Sequence, residues 1–88
     1  MRLDKFLKVS RIIKRRTIAN EACDAGKIIV NNKIAKAGLN LNIGDIVEIK
    51  FKNQNLKIKV LSLAENIRKE NALSMYEILE GGAKPNEN

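Results

Sequence analysis

Two consecutive runs of alternating residues restrict the fold more than anything else in this chain. From Asp45 to Lys52, Val47, Ile49 and Phe51 lie on one side and Glu48, Lys50 and Lys52 on the other. After Asn53-Gln54-Asn55, Leu56, Ile58 and Val60 alternate with Lys57 and Lys59 in a run that extends to Leu63. A period of two across a polar turn is the signature of paired antiparallel strands with one face buried. The outward Lys50, Lys52, Lys57 and Lys59 read as a solvated sheet face or as protection of an edge, with a second basic strip as the other reading.

Two short helical segments precede the sheet and are expected to pack on it. Leu3, Phe6 and Leu7 have the i, i+3, i+4 spacing of one helical face over Arg2 to Val9. At about 100° per residue, Lys5 and Lys8 fall opposite, with Asp4 beside them. Ser10 ends this helix or begins a turn, and Ile12 and Ile13 supply two apolar anchors. Thr17 is a good N-cap for a second helix over 18–25, in which Ile18, Ala22 and Ala25 share a face. Gly26 suits the position just past its end. Ile28-Ile29-Val30 is a short strand, Asn31-Asn32-Lys33 a turn and Ile34-Ala35 the return strand. Lys36 to Asn42 is a loop, and Ile43-Gly44-Asp45 a tight turn into the next strand. Glu65 to Leu73 has the pattern of a short helix, and Met75 to Leu79 either continues it or returns as a strand. The expected class is α+β: two short N-terminal helices packed on a small, mostly antiparallel sheet. Residues 1–80 form one domain and 81–88 a flexible tail.

The charge is segregated. Met1 to Arg16 holds seven basic residues, Arg2, Lys5, Lys8, Arg11, Lys14, Arg15 and Arg16, against the single acid Asp4. Residues 1–36 carry ten Lys or Arg and three acids, whereas residues 37–88 carry seven of each. A basic half beside a neutral half indicates a polyanionic partner, because scattered solubilising lysines would not separate in this way. Lys14-Arg15-Arg16 beside the capping Thr17 places three cations at a helix N-terminus, where free N–H groups also attract phosphate. Asp4 is either an exposed acid of no consequence or an orienter of Arg2, Lys8 or Arg16.

Catalysis has little to stand on. The chain has no histidine, which removes the commonest general base and metal ligand. Cys23 has no His partner and reads as a small buried side chain; alone it makes no disulfide or cysteine-only metal site. The ten acids form no paired-carboxylate pattern, and the five glycines form no phosphate loop. The expectation is a protein with no enzymatic activity, no cofactor and no metal. The N-terminus lacks the pattern of a signal peptide, and no apolar run approaches the roughly 20 residues of a membrane span. A reducing cytoplasm and no membrane partner are therefore expected. Aromatics are nearly absent: Phe6, Phe51 and Tyr76. Single-strand readers stack bases on aromatic platforms, so folded nucleic acid recognised through phosphates and shape fits better.

Arg2-Leu3-Asp4-Lys5-Phe6-Leu7, Arg15-Arg16-Thr17, Ala22, Gly26-Lys27-Ile28, Val30-Asn31 and the stretch from Lys36 to Gly44-Asp45-Ile46 together form a pattern. It resembles the RNA-binding domain first described in ribosomal small-subunit protein four, the S-four type, over about residues 1–50. Asn32-Lys33 departs from the Gly usual after Val-Asn. The domain is often an appendage of larger enzymes. MRLDKFLKVSRIIKRRT and Met75-Tyr76 are similar to a stand-alone branch, the RqcP family. That resemblance implies a factor of ribosome-associated quality control on the large ribosomal subunit. Its partners would be ribosomal RNA, an obstructed peptidyl-tRNA and RqcH, which recruits alanyl-tRNA so that the stalled chain receives an alanine tail. Off the ribosome, a monomer is expected.

The candidates for phosphate contact are thus Arg2, Lys5, Lys8, Arg11, Lys14, Arg15, Arg16 and Thr17, with Asp4 orienting; Arg16 and Arg2 carry the most weight. Three rival readings stand beside this one. One is recycling of large subunits carrying nascent chains, as in heat-shock protein fifteen. Another is the detached RNA-binding subunit of an RNA-modifying enzyme. The third is a DNA-binding protein whose two helices mimic a helix-turn-helix.

Overall fold

Every sheet strand that faces the helices presents its apolar alternates inward. In the computed structural model, which describes residues 1–64 and 69–81, the chain runs α1 (Leu3–Val9), α2 (Arg16–Asp24), β1 (Ile28–Val30), β2 (Lys33–Ile34), β3 (Ile46–Lys50) and β4 (Asn55–Val60). A 3-10 segment, Lys69–Met75, and β5 (Tyr76–Gly81) follow. All strand pairs are antiparallel in one five-stranded sheet of order β2-β1-β3-β4-β5. Ile28, Val30, Val47, Ile49, Leu56, Ile58 and Val60 are buried and share one core with Leu3, Phe6 and Leu7 of α1 and Ala19 and Cys23 of α2. Burying side chains of this size contributes about 1.5–3 kcal/mol each, which is what holds two short helices on the sheet. This is the α+β arrangement expected from the alternation. Among the described residues, no helix is long and apolar enough to cross a membrane.

Three backbone features set the geometry around the basic segment. The first N–H groups of α1 are not left orphaned: Leu3 donates to the carbonyl of Leu39 at 2.8 Å and Asp4 to that of Ala37 at 3.1 Å. Arg2 also bridges Asn40, so the loop after β2 fastens the start of α1. At the far end of α2, Gly26 at φ 74° closes the helix, with its N–H donating to Cys23 and that of Lys27 to Ala22, both at 3.0 Å. That is the paired bonding of a Schellman cap, for which glycine is favoured. Between β1 and β2, Asn31 and Asn32 sit at φ 51° and 71°, the two left-handed residues of a type I′ hairpin turn. The Asn32 position where Gly is usual thus keeps the turn. Asn31 does more: its Nδ2 donates to Oδ1 of Asp45 at 3.1 Å, while its Oδ1 accepts from the Ile46 N–H at 3.0 Å. The Asn42 N–H donates to Oδ2 of Asp45 at 2.9 Å, so Val30-Asn31 and Gly44-Asp45 are two halves of one clasp.

Several local expectations are corrected. Thr17 is not the cap of α2. Arg15 is extended at φ −124° and ψ 136° as N-cap, without a side-chain hydrogen bond, and Arg16 is already helical. A capping hydroxyl contributes only about 1 kcal/mol, a preference that the packing of Ala19 and Cys23 into the core overrides. The buried face of α2 is Ala19 and Cys23, not Ile18, Ala22 and Ala25; Ile18 is exposed and Ala22 is only partly covered. Phe51 does not continue the inner row of β3. Its N–H donates to Gln54 at 2.8 Å to close the β3–β4 turn, and its ring is exposed. β2 begins one residue earlier than expected, and β4 stops at Val60 rather than Leu63. The ambiguous segment resolves into both forms, 3-10 over Lys69–Met75 and strand over Tyr76–Gly81. Gly81 belongs to β5, not to a tail; its φ is 73°, and a Cβ there would collide with the Asn55 carbonyl. The remaining expectations, for residues 65–68 of the helix and 82–88 of the tail, lie outside the described residues.

Candidate nucleic-acid interface

The side chain that organises the basic segment is its one acid. Asp4 lies in the first turn of α1, where a carboxylate also suits the helix dipole, and is 2% exposed. It is therefore not beside Lys5 and Lys8 on the open face. Burial of a carboxylate is tolerated only when its oxygens are satisfied. Six donor contacts do this. Arg2 approaches with Nε at 3.2 Å from Oδ1 and Nη2 at 3.4 Å from Oδ2. Arg16 approaches with Nη2 at 3.4 Å from Oδ1 and Nε at 3.3 Å from Oδ2. The Lys5 N–H donates to Oδ1 at 2.8 Å, and Asn20 Nδ2 to Oδ2 at 3.3 Å.

The electrostatics follow from these contacts. Burial alone would push the Asp4 carboxyl up; the donors from Arg16, Asn20 and Arg2, with the Arg16 charge, outweigh it and hold the group below its ordinary 3.8. Asp4 thus remains charged and cancels only one of the two guanidinium charges. Half of each arginine side chain is exposed, 51% for Arg2 and 47% for Arg16. A guanidinium carries five N–H donors in a fixed plane, so a fork held by one carboxylate still presents donors outward for a second oxyanion. Two such forks, fixed from both sides by one acid, have the geometry to receive an anion. Arg15 and Arg16 also sit at the positive end of α2 with no acid in its first turn, an arrangement that repels cations and favours a bound anion.

Of the candidates named from the sequence, the fold brings Arg2, Arg16 and Asp4 together. Thr17 joins them as a neighbour: with Asp4, Arg16, Asn20 and Glu21 it lines a shallow depression of about 390 Å³. Lys5 is half-buried on α1, while Lys8, Lys14 and Arg15 are exposed and make no ion pair among the described residues. Arg11 lines a different cleft, beside Ile12 and Phe51. Asn20 is a member of the cluster that the sequence reading misses. Its signal is spacing: Arg16, Ala19, Asn20 and Cys23 stand at i, i+3, i+4 and i+7, the face that α2 turns to α1. Cys23 on that face has its thiol pushed up to about 11, by burial first and then by Asp4 and Asp24, so it is a protonated core side chain. Among the described residues no cluster of His, Cys, Asp and Glu has the makings of a metal site.

Known proteins share this architecture. The S4 domain model matches residues 1–47. An RQC P-site tRNA stabilizing factor of Streptococcus pneumoniae is 54% identical over 79 residues, covering 90% of each chain. One from Listeria innocua is 50% identical over 80 residues, covering 91% of this chain and 87% of its own. The trimeric structure of Vibrio cholerae heat shock protein 15 superposes with a TM-score of 0.83 at 25% identity, covering 89% of this chain and 80% of the other. The chain belongs to the S4 domain family, in the branch of the RQC P-site tRNA stabilizing factors.

Proposed function

We propose that this protein is an RNA-binding factor of ribosome-associated quality control, which holds a peptidyl-tRNA on the large ribosomal subunit through contacts to tRNA and ribosomal RNA. The observation that carries the reading is the pair of half-exposed guanidinium groups, Arg2 and Arg16, fixed on buried Asp4. Phosphate oxygens are the ligands that such forks fit, and an RNA helix offers them at regular intervals. Lys5, Lys8, Lys14 and Arg15 extend the cationic surface from the pair, Thr17 lies beside it, and Arg11 adds a cation at a separate cleft. Supporting the reading, close relatives carry the name RQC P-site tRNA stabilizing factor.

In this role the protein catalyses nothing itself. It reduces the mobility of the stalled peptidyl-tRNA while RqcH supplies alanyl-tRNA, and the ribosome forms each peptide bond of the alanine tail. It works in the cytoplasm, on the ribosome, and as a monomer when free. The test is to delete the protein and look for alanine tails on stalled nascent chains, then restore it with wild type or Arg16→Ala. Tails that persist undiminished without the protein overturn the tailing role.

A second reading is favoured by the structural likeness to heat shock protein 15: recycling of large subunits that carry nascent chains, without tailing. It predicts accumulation of obstructed large subunits with alanine tails intact when the protein is lost. A detached subunit of an RNA-modifying enzyme would instead appear as a stoichiometric complex with a catalytic chain in ribosome-free extract.

A further inference from the structure

The helices cover the inner face of the sheet over β1, β3 and β4 but leave it open over β5. In register, Ile78 pairs with Ile58 and Tyr76 with Val60, so both belong to the inner row. Yet Ile58 and Val60 are fully buried, whereas Ile78 is 45% exposed. The opening is a cleft of about 440 Å³, walled by Arg11 and Ile12 from the α1–α2 loop, Phe51 and Gln54 from the β3–β4 turn, Leu73, and Tyr76 with Ile78 from β5. Tertiary structure has gathered here two of the three aromatic residues of the chain.

The cleft is more than an uncovered apolar patch, because of Arg11. Among the described residues Arg11 is the only charged one on its lining, and no acid accompanies it. It also sits at φ 68°, a left-handed conformation that glycine adopts freely and arginine does not. Its N–H donates to the Lys8 carbonyl at 3.1 Å as the chain leaves α1, a job that a glycine would do with less strain. The rim of an aromatic cleft thus carries a cation whose backbone is held in a costly conformation. Arg11 also belongs to the same basic run as Arg15 and Arg16, which makes the cleft continuous in sequence with the surface assigned to RNA.

We propose that this cleft takes one unpaired nucleotide of the bound RNA, with its base against Phe51 and Tyr76 and its phosphate on Arg11. The proposal rests on the RNA-binding reading and extends it from backbone contact to capture of a base. An aromatic wall accepts any base face, the amide of Gln54 can both donate to and accept from a base edge, and the volume is in the range of small-ligand pockets. An apolar protein segment is the less fitting occupant, since it would cover Arg11 without supplying an anion to pair with it, whereas a nucleotide brings both a base for the aromatics and a phosphate for the cation.

The test uses the full chain and two RNA hairpins with the same stem, one blunt and one with a short unpaired 3′ extension bearing 2-aminopurine. The extended hairpin is expected to bind about fivefold or more tightly than the blunt one, with a change in 2-aminopurine fluorescence on binding. Phe51→Leu and Gln54→Ala, both at exposed turn positions, should remove that advantage without altering blunt-hairpin binding or the unfolding temperature. Equal binding of the two RNAs by the wild-type protein, with no response to Phe51→Leu, overturns the pocket alone and leaves the cleft to an apolar protein segment. Failure of both hairpins to bind overturns the RNA reading itself.

Discussion

Arg16 reaches back twelve positions along the chain to place its Nε 3.3 Å from Oδ2 of Asp4. This one pair joins the two halves of the basic segment across α1 and α2, and it explains why an acid stands among seven cations. The carboxylate offsets the repulsion between Arg2 and Arg16 and fixes both forks, while leaving a net positive charge for a polyanion.

Arg16→Ala should therefore separate binding from folding. The pair is half-exposed on the arginine side, so its removal costs about 0–1 kcal/mol of stability, and Asp4 keeps Arg2, Asn20 and the Lys5 N–H as partners. Co-sedimentation with large ribosomal subunits should fall, and the salt dependence of RNA binding should weaken by about one unit of slope. Undiminished sedimentation removes Arg16 from the interface.

Asp4 gives the protein an acid-side stability limit. Its folded pKa lies below the unfolded value of about 3.9, so the charged form is the one that folding favours. The stabilisation is present above the unfolded pKa and is lost as pH falls from there through the folded pKa. Asp4→Asn keeps the shape and loses the charge. Its unfolding temperature should lie below that of wild type at neutral pH, with the gap constant down to about pH 5 and closing below pH 4. A gap independent of pH across that window would show that the carboxylate charge is not what stabilises the cluster.

Asn20→Asp should be more harmful than its size suggests. The new carboxylate would face Asp4 at the place where an amide now donates at 3.3 Å, turning a donor contact into repulsion. It would also neutralise the remaining positive charge of the arginine pair. RNA affinity is expected to drop about as far as in Arg16→Ala, and Asn20→Ala should fall between it and wild type. Titration of the Asp4 carboxyl by NMR should show its pKa raised in Asn20→Asp.

The hairpin turn offers a stability gain. Asn32 at φ 71° occupies the second position of a type I′ turn, where glycine is preferred. Asn32→Gly should stabilise the fold by a few tenths to about 1 kcal/mol in urea unfolding, with RNA binding unchanged. A loss of stability would mean that the Asn32 side chain contributes more than its backbone conformation costs.

Much of the scaffold is legible in the sequence because its signals are local. Leu3, Phe6 and Leu7 announce α1, Val47, Ile49, Leu56, Ile58 and Val60 announce the hairpin, and Gly26 announces the end of α2. The site is legible by type but not by geometry. Arg2 and Arg16 stand out because both adjoin helix starts, whereas the capping role that Thr17 suggests is not the one it has. The face of α2 is misleading in sequence because Ile18 is its largest apolar residue, while the packing with α1 selects small Ala19 and Cys23.

By itself, then, the sequence determined the segregation of charge, the α+β class and the turns, since composition and short-range periodicity encode these directly. Only the tertiary structure decided that Asp4 is buried between two arginines, that Asn20 completes the cluster, that Asn31 clasps Asp45, and that Phe51 and Tyr76 share a cleft with Arg11. Apart from the local contact of Arg2 with Asp4, each of those pairings joins residues twelve or more positions apart. Such contacts depend on how α1, α2 and the sheet stack around one core, and no local propensity records that.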